Sequence, residues 1–265
     1  IGGTNAHAII EEAPEIESSG PSRPKKLLLI SAKTKCALDS ATANLHNYLK
    51  THLATNIADV AYTLKIGRKS FNHRRFLVCS DVQEAIQALE SLNPTRVMNR
   101  HYELRNPEVV FMFPGQGSQY VNMGLNLYED EPLFRHTLDQ CAEILEPVIG
   151  QDIRLILYPG DGGKAAAEEL LRETCFQQPV IFTIEYALAK LWEKWGVQPK
   201  AMIGHSIGEY VAACFAGIFS LKDALILVSI RGRMMQDRPR GTMLSIRLPV
   251  EEIEPRLHGE LSVAA

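Results

Sequence analysis

Residues Ala201-Met202-Ile203-Gly204-His205-Ser206-Ile207-Gly208-Glu209-Tyr210-Val211-Ala212-Ala213-Cys214-Phe215 decide the fold. Ala201 to Ile203 is a short apolar strand, and the apolar run from Tyr210 to Phe219 has the length of a helix. Between them stands Gly204-x-Ser206-x-Gly208, the pattern of a nucleophile elbow. In such a strand-to-helix turn the neighbours must lack side chains, and the serine hydroxyl is held out at the sheet edge. The alternative is an ordinary serine at a helix N-cap.

The same alternation continues on both sides. Upstream, Val109 to Phe113 is an apolar strand that runs into Pro114-Gly115-Gln116-Gly117-Ser118-Gln119. The spacing of Ile181, Ile184, Leu188, Leu191 and Trp195 predicts a helix from Gln178 to Trp195, stopped by Gly196. Downstream, Leu221 to Met235 reads as another helix. Beyond Gly241 the pattern becomes strand, helix and strand over Met243 to Leu248, Val250 to Leu257 and Leu261 to Ala264. Strands alternating with helices define an α/β class. Residues 107–240 form its main part and residues 241–265 the start of a further unit.

An earlier α/β unit occupies residues 25–106. Leu27 to Ile30 is a strand. Leu38, Ala41, Leu45, Tyr48 and Leu49 recur at helical spacing, as do Ile57, Val60, Ala61 and Leu64. Phe76 to Val78 is a second strand, and Asp81 with Glu84 forms a capping box before Val82, Ile86 and Leu89. Ahead of this unit, residues 1–24 comprise a Gly-rich turn, a short strand at Ala8 to Ile10 and a linker from Glu15 to Pro24.

With 265 residues, 46% hydrophobic and 22% charged, the chain is an ordinary globular protein, not a disordered or collagen-like one. The longest uncharged apolar stretch, Tyr210 to Leu221, is far below the ~20 residues that span a bilayer, and no basic-plus-apolar leader opens the sequence. A net charge of −3 gives no global field for nucleic acid. The one basic cluster, Arg68, Lys69, His73, Arg74 and Arg75, reads as a solvated charged face. Five cysteines at 36, 79, 141, 175 and 214 fit neither a disulfide framework nor a zinc site, which together with the missing leader indicates a reduced, cytoplasmic setting.

Acyl-serine chemistry needs donors for the oxyanion as well as a nucleophile. The Ile207 amide at the helix N-terminus offers one. The Gly115-Gln116-Gly117 loop is the best source of the second, or else it is a plain turn. Arg231 stands in an otherwise apolar helix, where it either binds a substrate carboxylate through two parallel hydrogen bonds or snorkels out to an internal acid or solvent. Arg233 competes for the same role. Among the eight histidines none stands out as a general base: His205 adjoins the serine and points elsewhere, and His258 reads as exposed. No metal-ligand spacing occurs.

Together these residues resemble the acyltransferase domain of modular type I polyketide synthases. Phe113-Pro114-Gly115-Gln116-Gly117-Ser118-Gln119, Gln177-Gln178-Pro179, Gly204-His205-Ser206-Ile207-Gly208-Glu209 and Arg231-Gly232 follow the family's order and approximate spacing. Gly2-Gly3-Thr4-Asn5-Ala6-His7, with Ile9, Glu11, Glu12, Ala13 and Pro14, resembles the C-terminal end of a ketosynthase.

The resemblance implies a ketosynthase tail over 1–24, a ketosynthase-to-acyltransferase linker domain over 25–106, and an α/β-hydrolase-like acyltransferase core over 107–240. It also implies the start of a ferredoxin-like subdomain over 241–265. On this resemblance Ser206 is acylated from malonyl-coenzyme A, Arg231 holds the free carboxylate, Gln116 gives the backbone oxyanion donor, Gln178 lines the pocket and His205 flanks the nucleophile. Ile207 after the serine, and Glu173-Thr174 before Gln177, favour malonyl over methylmalonyl. The acceptor is the phosphopantetheine arm of an acyl carrier protein, the neighbour is a ketosynthase, and the parent synthase is a homodimer; no cofactor is held permanently. The family's general base is a histidine further downstream than this sequence reaches, so the expectation is of a segment lacking its base. Competing readings are a serine hydrolase or thioesterase sharing the elbow, and an architectural spacer.

Overall fold

The computed structural model describes residues 7–12, 19–103, 107–239, 241, 244–259 and 261–263. The chain divides into two compact units, residues 1–108 and 109–265.

The first unit runs β1 (Lys26–Ala32), α1 (Lys35–Thr51), α2 (Ile57–Ile66), β2 (His73–Cys79), α3 (Val82–Ser91) and β3 (Val97–His101). Its antiparallel sheet has the order β1-β2-β3, with Leu28 opposite Leu77 and Phe76 opposite Met98. Alternation along the strands turns Leu28, Ile30, Leu77 and Cys79 to one face, where they meet Leu38 and Leu49 of α1 and Ala85 and Leu89 of α3. The helices start where the sequence offers caps. The side chains of Thr34, Asn56 and Asp81 accept from Ala37, Ala58 and Glu84 N–H at 3.1, 3.0 and 2.8 Å. Glu84 in turn accepts from the Ser80 N–H at 2.7 Å, so the reciprocal partner lies one residue before Asp81.

Arg75 corrects the reading of the basic cluster as a solvated face. It falls in register with Leu77 and Cys79 and is only 6% exposed. Its guanidinium donates to Asp39 and Thr42 on α1, each at 2.8 Å, and to Asn99 on β3 at 2.7 Å. Strand β3 is an element the sequence reading did not find; its only buried residue is Val97, and Asn99, Arg100 and His101 give no apolar alternation. The strand expected at Ala8 to Ile10 does not form: Ile9 and Ile10 are exposed and unpaired among the described residues. Residues 1–6 and 13–18 of the expected tail and linker lie outside the described residues.

The second unit opens with β4 (Val109–Phe113) and returns to it through a long helical crossover. The crossover comprises α4 (Leu125–Asp130), α5 (Pro132–Ile149), α6 (Ile153–Leu157), α7 (Lys164–Leu170) and α8 (Thr174–Lys194). Then come β5 (Pro199–Gly204), α9 (Ile207–Phe215), α10 (Leu221–Gln236) and α11 (Val250–Ile253), followed by one 3-10 turn over Glu254–Arg256. β4 and β5 pair in parallel, Phe111 opposite Met202 and Phe113 opposite Gly204. α8 is buried around most of its circumference, from Gln177 and Gln178 to Leu191, as expected of a helix surrounded by others. Phe134, Leu138 and Leu145 of α5, Phe182 of α8, Val211 of α9 and Leu225 of α10 share its core.

α8 begins four residues before the expected Gln178. A proline suits a first helical turn, which makes Gln178-Pro179 look like a helix start, yet Pro179 lies inside the helix. The strands expected over Met243 to Leu248 and Leu261 to Ala264 are absent among the described residues, where 244–248 and 261–263 carry no ladder; Met243 and Ala264 lie outside them. A strand exists only by pairing, and neither segment has a partner here. The helix expected over Val250 to Leu257 is a single α-helical turn that continues as the 3-10 turn.

Candidate active site

The two strand ends converge on one corner. β5 ends at Gly204, and after His205 the chain turns at Ser206, whose φ of 55° and ψ of −112° fall outside the regions open to most L-residues. The glycines are geometric requirements. A Cβ on Gly204 would lie 2.2 Å from the Glu209 nitrogen, and one on Gly208 would lie 2.3 Å from the Phe113 carbonyl oxygen. The turn is closed by His205 N–H donating to Phe113 O at 2.9 Å and by Gly204 N–H donating to a Glu209 carboxylate oxygen at 3.1 Å. Ser206 accordingly heads α9 with an exposed side chain that caps nothing.

The loop after β4 abuts this turn. A Cβ on Gly115 would sit 2.5 Å from His205 Nδ1, so the imidazole lies against the loop backbone. The Gly117 N–H is occupied by Gln119 Oε1 at 2.9 Å. The Gln116 and Ile207 N–H groups have no acceptor among the described residues. The Ile207 side chain is wholly buried in the core, so this residue meets the corner through its backbone. Gln178 is also fully buried; its Nε2 donates to Gln116 Oε1 at 3.4 Å and lies 3.2 Å from the Met235 sulfur, while its own Oε1 has no partner among the described residues.

Arg231 reaches the corner from α10. Its Nη2 donates to Ser206 Oγ at 3.2 Å, and its guanidinium lies 5.6 Å from the centre of the Tyr210 ring. Nη1 is buried without a hydrogen-bond partner among the described residues. A cation in that condition has unused capacity for an anion. Leu227, Ile230, Met234, Met235 and Arg238 join Arg231 around a shallow cavity of about 370 Å3. Arg233, the competing cation, is committed elsewhere and donates to Val148 O near the C-terminus of α5 at 2.8 Å.

Three contacts in this region went unread in the sequence. Tyr210 supports Arg231, and Gln177 and Thr174 accept hydrogen bonds from the Gln116 side chain. Helical spacing puts Tyr210 on the first turn after the serine, but nothing local links Gln177 to a loop some sixty residues earlier. His258, as expected, is exposed. A separate cavity of about 500 Å3, lined by Phe111, Met112, Ile184, Glu185 and Trp192 among others, contains none of the elbow residues. Both Glu185 oxygens are buried and lack partners among the described residues, and burial raises its pKa to about 8.

A parallel strand pair with a serine at a strained strand-to-helix turn defines the α/β proteins built around a nucleophile elbow. Comparison with known proteins narrows the class. Residues 110–265 match the acyl transferase domain family, and residues 26–89 match the family described as CurL-like, PKS C-terminal. The chain belongs to the acyl transferase domain family, in the form found in modular polyketide synthases. It is 36% identical over 271 residues to mycoketide-CoA synthase of Mycobacterium tuberculosis, covering all of this chain and 6% of that protein. Among solved structures, the acyl transferase domain of ZmaA is 48% identical with a TM-score of 0.83, over 89% of this chain and 54% of that one. The acyl transferase domain of SpnD, in complex with 2-(pent-4-yn-1-yl)malonyl, is 35% identical with a TM-score of 0.69, over 81% and 50%. The chain therefore spans about half of these structures and a small part of the curated relative.

Proposed function

We propose that this chain carries the nucleophile of an acyl-transfer site that moves a malonyl extender unit from coenzyme A to the phosphopantetheine arm of an acyl carrier protein. The observation that carries the reading is Arg231, with Nη2 3.2 Å from Ser206 Oγ and Nη1 buried and free of partners among the described residues. In a malonyl ester one methylene separates the acylated carbon from the distal carboxylate. A cation serving that carboxylate must therefore stand beside the nucleophile, as Arg231 does. The SpnD complex with a substituted malonyl group, in a related fold, agrees with this substrate class.

In the forward step Ser206 Oγ attacks the thioester carbonyl, loses its proton to a base, and expels the coenzyme A thiol to leave a malonyl ester. The Gln116 and Ile207 N–H groups stabilise the oxyanion formed on the way. His205, lying against Gly115, holds the turn, and Gln178 packs behind Gln116. Attack by the carrier thiol on the ester reverses the sequence and frees Ser206.

The test is intact-mass spectrometry of the full-length protein with malonyl-coenzyme A, before and after addition of phosphopantetheinylated carrier. A malonyl adduct that Ser206→Ala abolishes and that the carrier discharges supports transfer. Release of free malonate without carrier would favour the hydrolase reading.

A further inference from the structure

The Gln116 side chain reaches the first turn of α8. Its Nε2 donates to Gln177 Oε1 and, at 3.4 Å, to Thr174 Oγ1. Gln177, in the first turn of α8, is only 8% exposed. The turn that receives the loop is itself secured. Gln119 Nε2 donates to Leu171 O at 3.2 Å just before α8, and Thr174 N–H donates to Gln236 Oε1 at 2.7 Å on α10. A Cβ on Gly232 would lie 2.9 Å from Thr174 O, so α10 lies hard against the same turn one residue after Arg231.

From this geometry we infer that Gln177 is a positioning residue for the oxyanion donor: by holding the Gln116 carboxamide it fixes where the Gln116 backbone N–H stands relative to Ser206. Among the described residues the other partners of the Gln116 side chain, Thr174 and Gln178, both stand at 3.4 Å. Gly117, at a φ of 117° with open space around it, lets the backbone swing once the anchor is gone. A donor is effective in the transition state only when it is already in place, so loosening it slows the chemical step and leaves ground-state binding almost untouched. The same α8 turn joins the oxyanion loop to the Arg231 helix, so the two halves of the site share one frame.

The inference rests on the acyl-serine reading above. It is tested by single-turnover acylation of Ser206 from malonyl-coenzyme A in the full-length protein, with Gln177→Met, Gln116→Ala and the double variant. Gln177→Met keeps volume and removes the acceptor. It should lower the acylation rate roughly 10- to 100-fold, because small misplacements of reacting groups reach about 10²-fold. KM should stay within about twofold and the malonyl-to-acetyl preference unchanged. Gln116→Ala, an exposed position that folding tolerates, keeps the backbone N–H and should lose the same factor. The double variant should be no slower than either single one, since both changes cut the same link. A Gln177→Met or Gln116→Ala protein acylated within twofold of the unsubstituted rate overturns the inference, as does a double variant whose loss is the product of the two. If the unsubstituted protein is not acylated at all, the functional reading itself fails first.

Discussion

Replacing Arg231 by alanine should separate substrates by charge. In the structure its Nη2 stands 3.2 Å from Ser206 Oγ, and its Nη1 is buried with no partner among the described residues, so a malonyl carboxylate would meet a guanidinium with donors to spare. The residue is partly exposed, which makes an effective dielectric of about 20 the appropriate one. Two unit charges about 4 Å apart then attract by about 4 kcal/mol. Part of that is offset by desolvating the carboxylate, which leaves roughly 3 kcal/mol, or about 10²-fold in kcat/KM at about 1.4 kcal/mol per tenfold. An acetyl group carries no carboxylate and forgoes none of this attraction. Acylation of Ser206 in Arg231→Ala, followed by mass spectrometry with malonyl- and acetyl-coenzyme A in parallel, should therefore show malonyl kcat/KM lower by about two orders of magnitude and acetyl unchanged or raised. Arg231→Lys should recover only part of the loss, since an ammonium lacks the planar two-point fork. Equal losses for malonyl and acetyl would refute the reasoning and make Arg231 a packing residue for the Tyr210 face.

Two further outcomes are expected. Gly208→Ala should cost roughly 3 kcal/mol or more in stability, the upper end of overpacking, because its Cβ would lie 2.3 Å from Phe113 O and 2.8 Å from Pro114 O, both backbone atoms. Thermal melting checks this, with Gly241→Ala, which meets nothing within 4 Å, as the unchanged control. Glu185 has its pKa raised by burial to about 8, so the folded protein keeps a proton that the unfolded chain has already lost. Its contribution is complete below the ordinary carboxylate pKa and is lost as pH rises toward about 8. Unfolding free energies from urea titration should fall with pH across that window by up to about 1.4 kcal/mol per unit relative to Glu185→Gln, and parallel profiles would contradict the assignment.

What the sequence disclosed follows physical range. The strands β1, β2, β4 and β5 and the helices α1, α2, α3 and α10 are written in local periodicity, and the elbow in three residues whose geometry tolerates nothing larger. β3 escaped because only Val97 of its five residues is buried. The segments after Gly241 carry strand-like alternation yet find no ladder among the described residues, since alternation describes a face and says nothing of a neighbour. Arg75 looked like surface because its partners Asp39 and Thr42 lie over thirty residues away in sequence. The Arg231–Ser206 pair was legible only through the motifs shared with polyketide synthase acyltransferases, and the Gln116–Gln177 link not at all. Glu185 did leave a signal: one acid amid Val180 to Leu191, on a helix with no polar face to receive it.

The parallel pairing of β4 with β5 also sets a timetable. Phe113 meets Gly204 only after about ninety intervening residues have been laid down as the helical crossover, a closure that is slow because so much chain must be ordered before the contact rewards it. As the chain leaves the ribosome, the Gly115–Gln119 loop is therefore born without the serine it will face. Ser206 in turn emerges onto a strand whose partner is already waiting. A polypeptide synthesised only as far as the loop therefore holds one side of the corner and lacks the serine that completes it.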